Sequence, residues 1–376
     1  MKRTSPATLI VALLACGAVA QTSIAANAPR YVVNNLASLG GTDSEGNSIN
    51  DFGLIAGFSN LAGDQSTHAT AWLYGSKFDL GTLGGANSDV AWPVKNDFGV
   101  ISGIAQTATP DPNGEPWSCS GFLPATGNTC LGFVWAFGKM RPLSPLPGGN
   151  NSFATGTNNR LQTVGWAENG VHDSTCDPLS GQVLQFLPVI WGPGRIQMQS
   201  LLPLYDDKDG AATAINDRGQ VVGISGACDQ AVGRYSARHM VLWQNGHALD
   251  LGNLGGAAWN TPTAINQRGD VAGFANVPGG ATPASLHEHA FLWTRSGGLQ
   301  DLGVLYPDDV HSQALGINDR GQIVGLSCTA HFAVCHGFLW QNGAMTDLNS
   351  LVVGYNGVIE DAQDINDLGQ ITGQAV

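Results

Sequence analysis

The sequence predicts an all-β fold, a seven-bladed β-propeller of four-stranded antiparallel blades with the last blade shared between the N- and C-termini. Three observations carry that expectation. Seven times an Asn opens a short polar turn and is followed seven residues later by Gly; the Asn residues are 50, 96, 158, 216, 266, 318 and 366. A self-similarity of that period marks a repeat architecture. Six of the units carry a strand ending in Trp (72, 135, 191, 243, 293, 340), and seven Leu-x-x-Leu pairs run from Leu36 and Leu39 to Leu348 and Leu351. Gly supplies 51 of 376 residues and Lys only five, with β-branched and aromatic residues set between Gly, Asn and Asp turns. That is the composition of many short hairpins.

One unit, 211–254, shows the parse. Residues 211–215 make a first strand, a, and Asn216-Asp-Arg-Gly219 makes a tight turn, with Asn accepting backbone N–H bonds and Gly taking the left-handed conformation. Residues 220–225 are strand b, 239–243 strand c, Gln244-Asn-Gly246 a second turn of Asn-Gly type, and 248–254 strand d. Four short strands per unit is what a propeller blade requires. Tyr31 to Leu39 reads as a d strand with no blade before it. Asn366 to Gly369 leads into a last strand b with no Trp strand after it, so either the N-terminal strand pairs with strand b directly or the sequence is C-terminally shortened. Joining the ends in one blade protects the sheet edges.

The N-terminus predicts export. Lys2 and Arg3 precede an apolar run from Ala7 to Ala20 that ends in Ala18-Val19-Ala20. This is the pattern of a signal peptide over 1–20, followed by a flexible segment 21–30 and a single propeller domain 31–376. Leu13-Leu-Ala-Cys16 offers a second reading, a lipid anchor at Cys16. The expected location is secreted or periplasmic, or lipoprotein in the second reading. No segment has the apolar length of a membrane span. Without residues 1–20 the charge is 14 minus 29, or −15, which disfavours nucleic acid and anionic membrane as partners.

His289-Ala-Phe-Leu-Trp293, Leu302-Gly-Val-Leu305 and Ile317-Asn-Asp-Arg-Gly-Gln-Ile-Val-Gly325 follow one another in order. In these motifs the chain resembles the HAF-repeat family of bacterial extracellular repeat proteins over roughly 31–376. Blade 3 departs most, with Leu161 at the turn Gly position and Leu187 at that of the strand-c His. The resemblance implies a secreted repeat protein and brings no catalytic residues with it.

Recurring residues are expected to be structural, because each copy solves the same packing problem. The Gly inside each strand b is expected to make room for a neighbouring Trp, and the strand-start His residues to cap loops through backbone bonds. Function is expected where the copies differ, on the face of the b–c and d–a loops, which carries the long insertions. The six remaining cysteines fall in b–c loops, which predicts the disulfides Cys119–Cys130, Cys176–Cys228 and Cys328–Cys335. The same face collects Trp92, Tyr205, Trp259, Tyr306 and Tyr355 beside acids, a combination suited to sugar rings and hydroxyls. Asp309, Glu360 and Asp361 are the candidate catalytic carboxylates of a glycosidase. Calcium is the one cofactor considered, at Asp207 and Asp209, and His287, His289 and His311 are the candidate ligands of a transition metal. No cofactor is expected beyond these. The functional expectation is a non-catalytic module for an extracellular glycan or protein ligand, with a propeller glycoside hydrolase or lyase and a protein-interaction scaffold as alternatives.

Overall fold

A computed structural model describes residues 30–376 except 94, 116, 178, 194–197, 229–232, 234–235 and 280–285; the leader, Cys16 and residues 21–29 lie outside the described residues. Six four-stranded antiparallel sheets stand around one axis, at 40–79, 84–142, 148–200, 209–250, 261–303 and 311–347. In blade 4 the strands are Asp209–Ile215, Val221–Gly226, Ala237–Gln244 and His247–Asp250, close to the sequence parse.

The expectation of seven four-stranded blades is corrected to six. The seventh place around the axis holds a two-stranded sheet, Asp364–Ile365 against Ile371–Thr372. Among the described residues the N-terminal segment meets this unit through one parallel bridge, Tyr31 to Val352, instead of a ladder. Leu36 to Leu39 is not a strand. It nonetheless does for blade 1 what the Leu pair at 201 and 204 does for blade 4. Trp72 Nε1 donates to the Ala37 carbonyl at 2.8 Å and Leu39 N to Ser59 Oγ at 2.8 Å, as Trp243 Nε1 donates to Leu202 and Leu204 N to Ser225 Oγ. Each such Trp is therefore a staple to the unit before it.

The innermost strands share one irregularity. Strand a of blade 4 slips register between Ala212 and Ala214, leaving Thr213 bulged. Its hydroxyl reaches the Pro262 carbonyl of the next blade at 2.6 Å, and Thr155 and Thr263 do the same to Ala212 and Ala314. A bulge re-aims one side chain and bends the strand, and here it stitches neighbouring blades. The bulge also corrects the expected role of the strand-b Gly. A Cβ on Gly223 would lie 2.0 Å from the Ala211 carbonyl oxygen, and one on Gly325 1.9 Å from that of Gln313, so the close neighbour is strand-a backbone and not Trp.

Candidate functional site

The a–b turns converge on the axis. In each turn the Asn Oδ1 accepts two backbone N–H bonds of its own turn, as Asn216 does from Arg218 and Gln220. Its Nδ2 reaches the next unit: Asn50 to the Asn96 carbonyl, Asn96 to Thr157, Asn158 to Asn216, and so round to Asn366, which returns to Asn50. The residues after these Asn form a second ring. Asp97 N donates to Asn159, Asn159 N to Asp217, Asp217 N to Gln267, Gln267 N to Asp319, Asp319 N to Asp367 and Asp367 N to Asp51, at 2.6–3.0 Å. Together they line a cavity of about 180 Å³. Burial raises the Asp319 carboxyl from its ordinary value, and Asp367 and Asp51 nearby add to the effect. These side-chain oxygens are already taken by neighbouring N–H groups, so the funnel is first of all the device that closes the ring.

The b–c/d–a face is built differently. Tyr205 leaves the blade 3 to blade 4 connection with its hydroxyl on Asp250 at 3.2 Å and its ring edge on His239, centroids 5.1 Å apart. Tyr306 repeats the arrangement between blades 5 and 6, with its hydroxyl on Asp347 at 2.6 Å and its ring on His336 at 5.3 Å. Below each Tyr an Asp fixes the loop, Asp207 by accepting from Ser225 Oγ and Asp309 from Ser327 Oγ, both at 2.7 Å. The hydrogen bond to Asp347 pushes the Tyr306 hydroxyl up to about 12, and that to Asp250 raises Tyr205. Both rings stay exposed while their hydroxyls are held.

The other expected aromatics stand elsewhere. Trp92 is buried edge-on against Phe122, Phe153 and Trp166, in a cluster that the Cys119–Cys130 and Cys176–Cys228 loops cover. Trp259 packs on Phe274 with Leu286 and Phe332. Tyr355 is half-buried. All three expected disulfides are formed.

The carboxylate and histidine candidates go to separate partners. Asp309 accepts from Tyr306 N and Ser327, whereas Asp361 accepts from Gln374 N and Gln363 beside Glu45. Glu360 is half-buried and its backbone N–H pairs with the Gln374 carbonyl. Burial, with Asp361 alongside, holds the Glu45 carboxyl far above its ordinary range. Asp207 binds His239 Nδ1 at 2.7 Å, while the Asp209 carboxyl, pushed up to about 9 by burial and by Asp173, accepts from Phe186 N. The two carboxylates thus go to separate partners, Asp207 to His239 and Asp209 to the Phe186 backbone. His289 pairs with Asp301, leaving His287 5.7 Å from His311, whose Nδ1 is on Glu288 at 2.9 Å. The expected backbone capping by strand-start His is thus corrected: in blades 1, 4 and 5 the imidazole meets a carboxylate, Asp79, Asp207 or Asp301. Asp173, Cys176 and Cys228 bring ligand atoms within 4.8 Å of one another, but both sulfurs are spent in the disulfide.

No family model matches the chain, and no curated protein sequence matches it. Solved structures resemble it. An acylaminoacyl peptidase from Pyrococcus horikoshii is 12% identical with a TM-score of 0.49, over 89% of this chain and 49% of that one, so the chain spans about half of that peptidase. The β-propeller domain of the Trilobed protease from Pyrococcus furiosus is 9% identical with a TM-score of 0.47, over 82% and 83%. A mutant of AofleA from Arthrobotrys oligospora is 9% identical with a TM-score of 0.37, over 85% and 94%. These likenesses concern the fold.

Proposed function

We propose that this protein is an exported binding module that holds a carbohydrate on its b–c/d–a face without turning it over. The observation that carries the reading is the pair of equivalent platforms, Tyr205 and Tyr306, each with an exposed ring, a hydroxyl tied to Asp and a His at its edge. A ring fixed before the ligand arrives loses little entropy on binding, and its flat apolar face suits the C–H face of a sugar. Two platforms in corresponding places favour a polymer with repeated units, which gains from two-point attachment. Three disulfides among the b–c loops support an oxidising location.

The test is retention on a panel of insoluble polysaccharides, with release of new reducing ends followed in parallel. Retention without release, weakened about tenfold in Tyr205→Ala and in Tyr306→Ala, supports the module. Retention untouched by both changes removes the platforms from the reading. A hydrolase is the second reading, favoured by Glu45, which keeps its proton beside Asp361 as a general acid must. Release of sugar ends that vanishes in Asp361→Asn would establish it. Indifference to every glycan leaves the protein-interaction scaffold as the reading to pursue.

A further inference from the structure

The a–b and c–d turns of all blades end on one face, and their tips differ in a pattern that packing does not account for. In the third turn position blades 3 to 6 carry Arg160, Arg218, Arg268 and Arg320, whereas the seventh unit and blades 1 and 2 carry Leu368, Phe52 and Phe98, which are 68, 62 and 68% exposed. The c–d turns of blades 1 and 2 add Tyr74 and Phe137, 85 and 99% exposed. Three neighbouring units thus raise five large apolar side chains on one sector.

The other blades serve as an internal control. Tyr74 and Phe137 sit at φ 50° and 52°, where blades 4 and 6 place Asn245 and Asn342 at φ 52° and 54°. Asn is at home in the left-handed region and a bulky aromatic is an outlier there. A turn that accepts such strain for a side chain making no core contact points to use outside the fold. Exposed apolar patches of this extent mark interaction sites.

Charge indicates the partner. The four rim arginines with Lys95, Lys139 and Arg295 set seven cations on this face against seven carboxylates, the five of the funnel, Asp270 and Asp364, which pairs with Lys95, leaving seven cations against 22 carboxylates on the rest of residues 21–376. The net −15 therefore lies off this face. The funnel carboxylates all accept hydrogen bonds from neighbouring turns, Asp217, Asp319 and Asp367 half-buried and Asp51 and Asp97 exposed, while Lys139 is exposed two residues from Phe137 and the rim arginines are exposed on the turns of blades 3 to 6. The apolar groups are tips of short, rigid turns and not the walls of a groove, which fits a deformable apolar phase better than a preformed protein pocket.

We propose that the a–b/c–d turn face docks on a bilayer containing anionic lipid, with Leu368, Phe52, Tyr74, Phe98 and Phe137 entering the headgroup boundary and Lys139 and the rim arginines meeting lipid phosphates. The opposite face then points outward, free for ligand. The inference does not rest on the carbohydrate reading.

The experiment is co-sedimentation of the protein with vesicles of phosphatidylcholine, alone and mixed with phosphatidylglycerol, at low and high salt. Wild type is expected to sediment with the mixed vesicles, and Tyr74→Asn/Phe137→Asn to partition about tenfold more weakly. Phe52→Arg/Phe98→Arg, which adds cations while removing apolar groups, is expected to weaken binding at high salt, where the charges are screened. All four changes install residues that other blades carry, so the fold is expected to persist, and unchanged melting curves check it. Tyr205→Ala should sediment as wild type. Failure of wild type to sediment overturns the proposal, as does binding that ignores both aromatic pairs. Capture of a protein by this face, sensitive to the same changes and without vesicle binding, overturns it in favour of a protein partner.

Discussion

Asn366 Nδ2 donates to the carbonyl oxygen of Asn50 at 2.9 Å across 316 residues of sequence. With Asp367 N on Asp51 Oδ1 at 2.8 Å, it joins the last turn to the first. Asn366 also accepts from Leu368 N and Gln370 N, so one buried side chain serves three backbone groups. Asn366→Ala should cost about 3 kcal/mol, at roughly 1 kcal/mol for each lost bond. Urea unfolding checks this. A loss no larger than that of an exposed-surface control would mean that the ring is not held at this joint.

Much of this ring was legible in the sequence, because the turn Asn, the Leu pairs and the Trp recur wherever the same bond is made. What recurrence does not tell is the identity of the partner. The strand-b Gly points to a close approach, but the strand-a bulge that brings the Ala211 carbonyl to Gly223 leaves no sequence mark beyond a small residue at the slip. Likewise Trp92 and Trp259 are aromatic residues in polar loops, and only their neighbours decide that they pack inward. Tyr205 and Tyr306 were readable because each stands just after a Leu pair and before an Asp. The turn-tip sector was also visible, as Phe, Phe and Leu where four units have Arg, but its meaning required knowing that a–b and c–d tips share a face.

Gly223→Ala and Gly325→Ala should each destabilise by more than about 3 kcal/mol, since the new methyl meets backbone oxygen at 2.0 and 1.9 Å and no side chain can move aside. Gly219, at φ 75° with open space where its Cβ would be, is a turn position that Asn tolerates. Gly219→Asn should therefore cost about 1 kcal/mol or less. Equal losses at both kinds of Gly, measured in denaturant, would contradict the bulge as the cause.

Cys176–Cys228 joins the b–c loops of blades 3 and 4 across 52 residues, and Thr175 Oγ1 accepts from Cys228 N beside it. The pair Cys176→Ser/Cys228→Ser should lose about 2–4 kcal/mol. It should also expose the aromatic cluster around Trp166, with a red shift of tryptophan emission before global unfolding. Peptide mapping without reduction should recover the three bridges as drawn.

Several carboxyls bind their proton more tightly in the fold than in the unfolded chain, and that fixes the sign of the pH dependence. Burial pushes Asp89 and Glu168 up to about 7, with Glu115 adding to the effect on Glu168, and burial and Asp173 push Asp209 up to about 9, from ordinary values of 3.8 for Asp and 4.5 for Glu. Between those limits the native state holds more protons than the unfolded state, so stability falls as pH rises. Their contribution is complete below the ordinary carboxylate range and is lost as pH climbs through about 7 and then 9. Asp173 and Asp301, which are lowered, act in the opposite sense at the acid end, where protonation costs stability. The melting temperature should accordingly rise on going from about pH 9 to about pH 5 and turn down below about pH 4. Asp209→Asn should flatten the alkaline limb specifically, because an amide supplies the uncharged form at every pH while its oxygen still accepts from Phe186 N. An alkaline limb as steep in Asp209→Asn as in wild type would show that the proton responsible sits on another group.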